Sequence, residues 1–98
     1  MAVRAISEFA VQPGRRDEFL RLFESLVAQH SEDLHAAGCH STSLYVVVDD
    51  PDRAVEIADW DSADARERLQ RSELMGVFAP LFELVAAPPI ATVIEPLK

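Results

Sequence analysis

A single cysteine, Cys39, stands among the 98 residues, so no disulfide can form within the chain and nothing covalent staples the fold. A lone thiol suits a reducing compartment, and the expected location is cytoplasmic. Glycine is nearly as scarce. Three glycines, Gly14, Gly38 and Gly76, lie far apart, which excludes a Gly-rich phosphate loop and any flavin or nicotinamide fingerprint. Positive charge is also short: nine Lys and Arg face seventeen Asp and Glu, for a net charge of −8. No basic run relieves that balance, so nucleic acid and anionic membrane are poor partners. No apolar run approaches the roughly 20 residues of a membrane span, and the opening stretch MAVRAISEFA is too polar for a signal peptide. Tryptophan occurs once, as Trp60, at the end of the stretch DRAVEIADW.

Against these absences, hydrophobic residues make up 49% of the chain, enough for a globular core and too many for a disordered chain. Residues 1–98 are expected to form one domain. A chain of this size buries roughly 60 to 65% of its unfolded surface, a thin core that a partner subunit would help. Val3 to Val11 alternates, with Val3, Ala5, Ser7, Phe9 and Val11 on one parity, and reads as a strand. Pro13-Gly14 breaks it. From about Arg15 to Leu34 the period changes: Phe19, Phe23, Leu26, Val27, His30 and Leu34 fall three and four apart, predicting one long amphipathic helix closed by Gly38. Residues 40–48, rich in β-branched side chains, read as a second strand, and Arg53 to Trp60 as a third, with DDPD as the turn between them. Ser62 caps a helix over Ala63 to Gln70 with Ala65 and Leu69 inward. Ser72 caps a short piece from Glu73 to about Phe78, and Pro80 interrupts or kinks the helical run there. Ile90 to Ile94 is the last strand.

The order β-α-β-β-α-β predicts a ferredoxin-like α+β sandwich, a four-stranded antiparallel sheet with helices on one face. Strands two and three carry apolar residues at both parities, Leu44, Val46 and Val48 against Tyr45 and Val47. Helices on one side alone would leave the second face wet, so a homodimer packed sheet to sheet is expected.

Several segments together, FAVQPGRRDEFL, Gly38-Cys39, DDPDR, Trp60-Asp61-Ser62, AAPP and the final VIEP, resemble the antibiotic biosynthesis monooxygenase family of dimeric α/β-barrel proteins. The resemblance spans nearly the whole chain. It implies a pocket between helices and sheet with the Trp near it. It also implies one of several chemistries: oxidation of phenols or anthrones to quinones by O₂ without a cofactor, haem breakdown, or action on small signalling sugars. Haem-degrading relatives place an Asn on the first strand and a His ligand on the second helical segment. Here the strand position is Ser7, and residues 63–85 contain no His. Many relatives also carry a Glu two residues before the Trp; that position is Ala58 here, and the acid sits at Glu56.

Among residues that could carry chemistry, Trp60 is either a large filler at a strand end or the flat wall that stacks an aromatic ligand. His30, on the apolar stripe, is either a satisfied core or interface histidine or a general base in a closed pocket. Glu56 shares parity with Ala54, Ala58 and Trp60. It is either the polar side of a half-exposed strand or, if enclosed, a base whose pKa rises by desolvation. His30, Trp60 and Glu56 are the catalytic candidates. Arg53 and Tyr45 could hold an anion or a phenol, or be surface residues. Phe23, Phe78 and Phe82 belong to the core and could double as pocket walls. Cys39 has no obvious base, and the spacing of His30, His35 and His40 matches no metal-ligand pattern. Neither a cofactor nor a metal is expected. The expected function is cofactor-independent monooxygenation of a fused, polyketide-type aromatic, phenol or anthrone to quinone, with the small aromatic and O₂ as its partners. The alternatives are a non-redox isomerase or cyclase on the same scaffold, and a non-catalytic dimer that binds a small ligand.

Overall fold

The computed structural model describes residues 1–97. The elements run in the order β1 (Val3–Ala10), α1 (Arg16–Gln29), α2 (Ser31–Ala36), β2 (Cys39–Val46), β3 (Arg53–Trp60), α3 (Ala63–Gln70), a 3₁₀ helix (Glu73–Phe78), α4 (Ala79–Phe82) and β4 (Ile90–Ile94). The strands form one sheet in the order β2-β3-β1-β4, with every neighbouring pair antiparallel. This is the ferredoxin-like α+β arrangement, with helices on one face.

Alternation in the sequence decides which side chains meet the helices. On β1, Val3, Ala5, Ser7 and Phe9 are buried, whereas Arg4 and Glu8 are exposed. Register carries the same parity across the sheet: Val3 lies opposite Trp60, Ala5 opposite Ala58, Ser7 opposite Glu56 and Phe9 opposite Ala54. A slip of one residue would turn the whole set to the other face. Against this floor, α1 packs Phe19, Phe23 and Leu26. Phe9, Phe19 and Phe23 form a mutual cluster with ring centroids 5.1 to 5.8 Å apart, and Phe78 joins Phe23 at 6.2 Å. Tilted and edge-on rings at this spacing add about 0.5–1.5 kcal/mol per pair beyond simple burial.

The single helix expected from Arg15 to Leu34 is two helices. His30 leaves helical geometry (φ −114°, ψ 20°), and α2 starts afresh at Ser31 with Glu32 and Asp33 in its first turn. Two acids at a new N-terminus complement its dipole, which favours a break there. The redirected α2 lies against β2 and keeps Leu34 in the core. Gly38 then adopts φ +100°, the left-handed conformation that ends the helix. Ser62 caps α3 as expected, its Oγ accepting from the Ala65 N–H at 3.1 Å. Ser72 does not cap the 3₁₀ helix; its hydroxyl donates back to the Leu69 carbonyl at 2.7 Å. Pro80 opens α4, where its missing N–H costs nothing. Residues 83–86 run beside the end of β1, where Gln12 N–H donates to Leu84 O at 2.9 Å and Ala86 N–H to Ala10 O at 2.7 Å. That strap holds α4 close to the sheet. No described helix is long and apolar enough to cross a membrane.

Candidate active site

Between the sheet and the helices lies a cavity of about 220 Å³. Its floor is the inward row of the strands: Ala5 and Ser7 from β1, Thr42 from β2, Glu56, Ala58 and Trp60 from β3, and Ala91 from β4. Small side chains at Ala5, Ser7, Ala58 and Ala91 leave the space, since bulkier residues at those inward positions would fill it. The roof comes from the helices: Phe23 and Val27 of α1, Leu34 of α2, Arg66, Leu69 and Gln70 of α3, and Met75, Phe78, Leu81 and Phe82 beyond them. Largely aromatic and aliphatic walls carry the polar residues Ser7, Thr42, Glu56, Arg66 and Gln70.

Glu56 sets the electrostatics. It is half-buried. Loss of water around its carboxylate pushes the pKa up from the ordinary 4.5 to about 7, against the opposing pull of the Arg66 charge and a hydrogen bond from Ser7. Desolvation therefore outweighs both the cation and the donor. A carboxylate poised near neutrality in a cleft is what a general base requires, because it is half ionised at working pH and still basic enough to take a proton. Ser7 is a buried polar residue of the core, and its partner across the strand pair is Glu56. Trp60 is buried too, and its Nε1 has no hydrogen-bond partner among the described residues. A buried N–H without an acceptor costs roughly 1–3 kcal/mol relative to a paired one. Cys39 also lines the cavity, but burial raises its thiol pKa, so it stays protonated and is no nucleophile.

Of the expected site residues, Glu56, Trp60, Phe23, Phe78 and Phe82 are brought together on this cavity. His30, Tyr45 and Arg53 are not among its walls. His30 occupies the joint between α1 and α2, half-buried. Tyr45 lies opposite Val55 and Arg53 opposite Ala10, on the outward parity of the sheet. The sheet thus separates Tyr45 and Arg53 from the Glu56 carboxylate, and Arg53 instead pairs with Asp50 at 3.4 Å. Arg4, the other arginine on that face, holds Asp59 at 2.8 Å. The cation beside the base is Arg66, which was not among the residues expected from sequence. Its signal was present: Arg66, Leu69 and Gln70 are spaced i, i+3, i+4, one face of α3. His35 and His40 pack edge to face at the wall of a separate open hollow between α2 and β2, and His40 Nε2 contacts Asp61 Oδ1. Among the described residues no three His, Cys, Asp or Glu side chains converge as metal ligands.

The sequence model described as antibiotic biosynthesis monooxygenase matches residues 2–80. The chain belongs to the antibiotic biosynthesis monooxygenase family. Solved structures agree on the fold. A Bordetella bronchiseptica protein bearing the same family name is 26% identical with a TM-score of 0.80, covering 99% of this chain and 98% of that one. Rv0793 from Mycobacterium tuberculosis is 24% identical with a TM-score of 0.77, covering 100% and 97%. A mutant of SnoaB, a cofactor-independent oxygenase from Streptomyces nogalater, is 19% identical with a TM-score of 0.77, covering 99% and 94%. Comparison with curated proteins found no match.

Proposed function

We propose that this family member is a cofactor-independent oxygenase that converts a phenol-type aromatic to a quinone with O₂, and that Glu56 is its base. The observation that carries the reading is a carboxyl group of pKa about 7 on a cavity lined mainly by aromatic and aliphatic side chains. Family membership and a fold shared with SnoaB, itself a cofactor-independent oxygenase, support it.

The arrangement suits the following chemistry. Ionised Glu56 takes the phenolic proton. The resulting anion is electron-rich enough to pass an electron to O₂, and the radical pair recombines at ring carbon to a peroxide. Loss of water from the peroxide leaves the quinone. One oxygen atom enters the product, the other leaves as water, and all four electrons come from the substrate. The protein contributes a base, a fixed orientation and a largely apolar cavity that limits water around the peroxide. Trp60 supplies a flat wall.

The outer sheet face supports a second copy as partner. Ile90, Ile94 and Tyr45 are 63, 45 and 50% exposed there, and Ile6, Val55 and Ile57 lie between them in register. Exposed apolar residues on this face, interleaved with Arg4, Glu8 and Asp59, are what a sheet-to-sheet homodimer would cover.

The test is oxygen uptake by metal- and flavin-free protein with a set of phenols running from phenol through 1-naphthol to dithranol, each corrected for spontaneous oxidation. Saturable uptake that yields quinone and falls in Glu56→Gln is expected. Turnover that proceeds unchanged without O₂ would replace the oxygenase with an isomerase or cyclase using the same base.

A further inference from the structure

We infer that the cavity selects a one- or two-ring phenol, held with its oxygen between Glu56 and Arg66, over phenols of three or more fused rings. This rests on reading the cavity as the substrate site, and it adds the substrate's size and orientation.

Size comes from the volume between sheet and helices, a cavity partly open to solvent. An apolar protein cavity of about 150 Å³ accommodates one benzene ring. Scaling by ring carbons at that packing, two fused rings need roughly 250 Å³ and three roughly 350 Å³. The cavity offers about 220 Å³, close to the two-ring figure and far below the three-ring one. Much of its boundary is rigid. Phe23 and Phe78 are locked in the aromatic cluster, and Leu81 is 2% exposed. Close-packed interiors of this kind do not swell by a ring's volume without opening. Met75, half-buried on the 3₁₀ helix, is an unbranched, adaptable apolar wall.

Orientation comes from the distribution of polar groups. Ser7 and Glu56 face each other across β1 and β3, and Arg66 acts on the Glu56 carboxylate from α3. Phe9, Phe23, Phe78 and Trp60 supply apolar wall. A ligand that satisfies this lining presents one oxygen to Ser7, Glu56 and Arg66 and its ring to the aromatic walls, with Thr42 and Gln70 the remaining polar liners. Proton transfer from that oxygen to Glu56 neutralises the carboxylate and moves the negative charge onto the ligand. Arg66 then faces the new anion in place of the old one, so the cavity's net charge does not change. That exchange makes Arg66 the residue that stabilises the developing phenolate. It takes the part for which Arg53 and Tyr45 were candidates from sequence.

The experiment is anaerobic calorimetric titration of the protein with phenol, 2-naphthol and 2-hydroxyanthracene, together with absorbance titration of bound 2-naphthol against pH. Wild type is expected to bind 2-naphthol at least tenfold more tightly than 2-hydroxyanthracene, and Met75→Ala to narrow that ratio by enlarging the cavity. Bound 2-naphthol is expected to ionise at lower pH in wild type than in Arg66→Gln, a spectroscopic difference that a purely structural role for Arg66 would not produce. Equal or tighter binding of the three-ring phenol overturns the size limit, and an unchanged ionisation in Arg66→Gln overturns the role of Arg66. Oxygen is absent throughout. A naphthol that binds as expected but is never oxidised in air therefore refutes the oxygenase reading alone, while a three-ring phenol that binds tightly and is oxidised refutes the size limit alone.

Discussion

Replacing Glu56 with glutamine should make the protein more stable above neutral pH while removing the proposed base. The carboxyl pKa is raised in the folded state from 4.5 to about 7. Between those values the folded protein retains a proton that the unfolded chain has released. Stability from this residue is therefore fully present below about pH 4.5 and is lost as pH rises through about 7. At 1.36 kcal/mol per pKa unit the full loss is at most roughly 3 kcal/mol, and residual solvent at the cavity mouth reduces it. Glutamine keeps the shape and carries no charge in either state, so the penalty disappears. Urea unfolding of wild type and Glu56→Gln at pH 5, 6, 7 and 8, at one fixed protein concentration, measures the difference directly. The two proteins should be similar near pH 5 and diverge steadily, with the variant ahead by about 1–3 kcal/mol at pH 8, equivalent to roughly 4 °C or more in Tm for a domain of this size. Other titrating groups cancel in the comparison. Asp59, whose pKa Arg4 and Ser41 lower, is one of these, since it shifts stability the opposite way in both proteins. A variant no more stable than wild type at pH 8, or a gap that does not change with pH, would show that Glu56 is not held desolvated in the fold.

The same geometry sets four other expectations. His30→Ala should leave oxygen uptake within about twofold of wild type, because His30 is not a wall of the cavity; a hundredfold loss, the scale of a missing general base, would return His30 to the mechanism. Trp60→Phe removes an unpartnered buried N–H and keeps a ring; stability should change by less than about 1.5 kcal/mol in chemical denaturation, whereas Trp60→Ala should cost about 3–5 kcal/mol. Gly38→Ala forces a Cβ at φ +100° to within 3.0 Å of Ala65 Cβ and 3.1 Å of Asp61 Oδ2; a loss above about 1 kcal/mol is expected in the same assay. Ser62→Ala deletes the cap on α3 and should cost about 1 kcal/mol.

Much of the fold was legible because its signals are local. Alternation placed Ser7 and Phe9 on one parity of β1 and Glu56 and Trp60 on one parity of β3, and register then set Ser7 opposite Glu56. The third and fourth strands and α3 occupy the expected residues, and the Ser62 cap explains where α3 starts. Periodicity could not reveal the break at His30. An unbroken apolar stripe runs through it, and the bend reflects how α2 lies on β2. The candidate site was half legible for a related reason. Parity alone does not say which face the helices cover, so Tyr45 and Arg53 looked as eligible as Glu56. Once the helices are placed, Glu56 is desolvated and Arg53 is at the surface. Arg66 was hidden because an arginine on an amphipathic helix reads as solvated, and only the packing of α3 over the sheet turns that face inward.

If a near-neutral Glu56 carboxylate is the base that starts the reaction with O₂, the rate must carry its titration. The measurement to make is the pH dependence of kcat/KM for oxygen uptake with 1-naphthol, in wild type and Glu56→Gln, with fold and stability checked at each pH. The wild-type rate should rise with pH through an apparent pKa near the 7 of Glu56, and the variant should lose about 10²-fold or more. A variant that keeps wild-type activity, or a profile with no inflection near neutrality, would remove Glu56 from the chemistry.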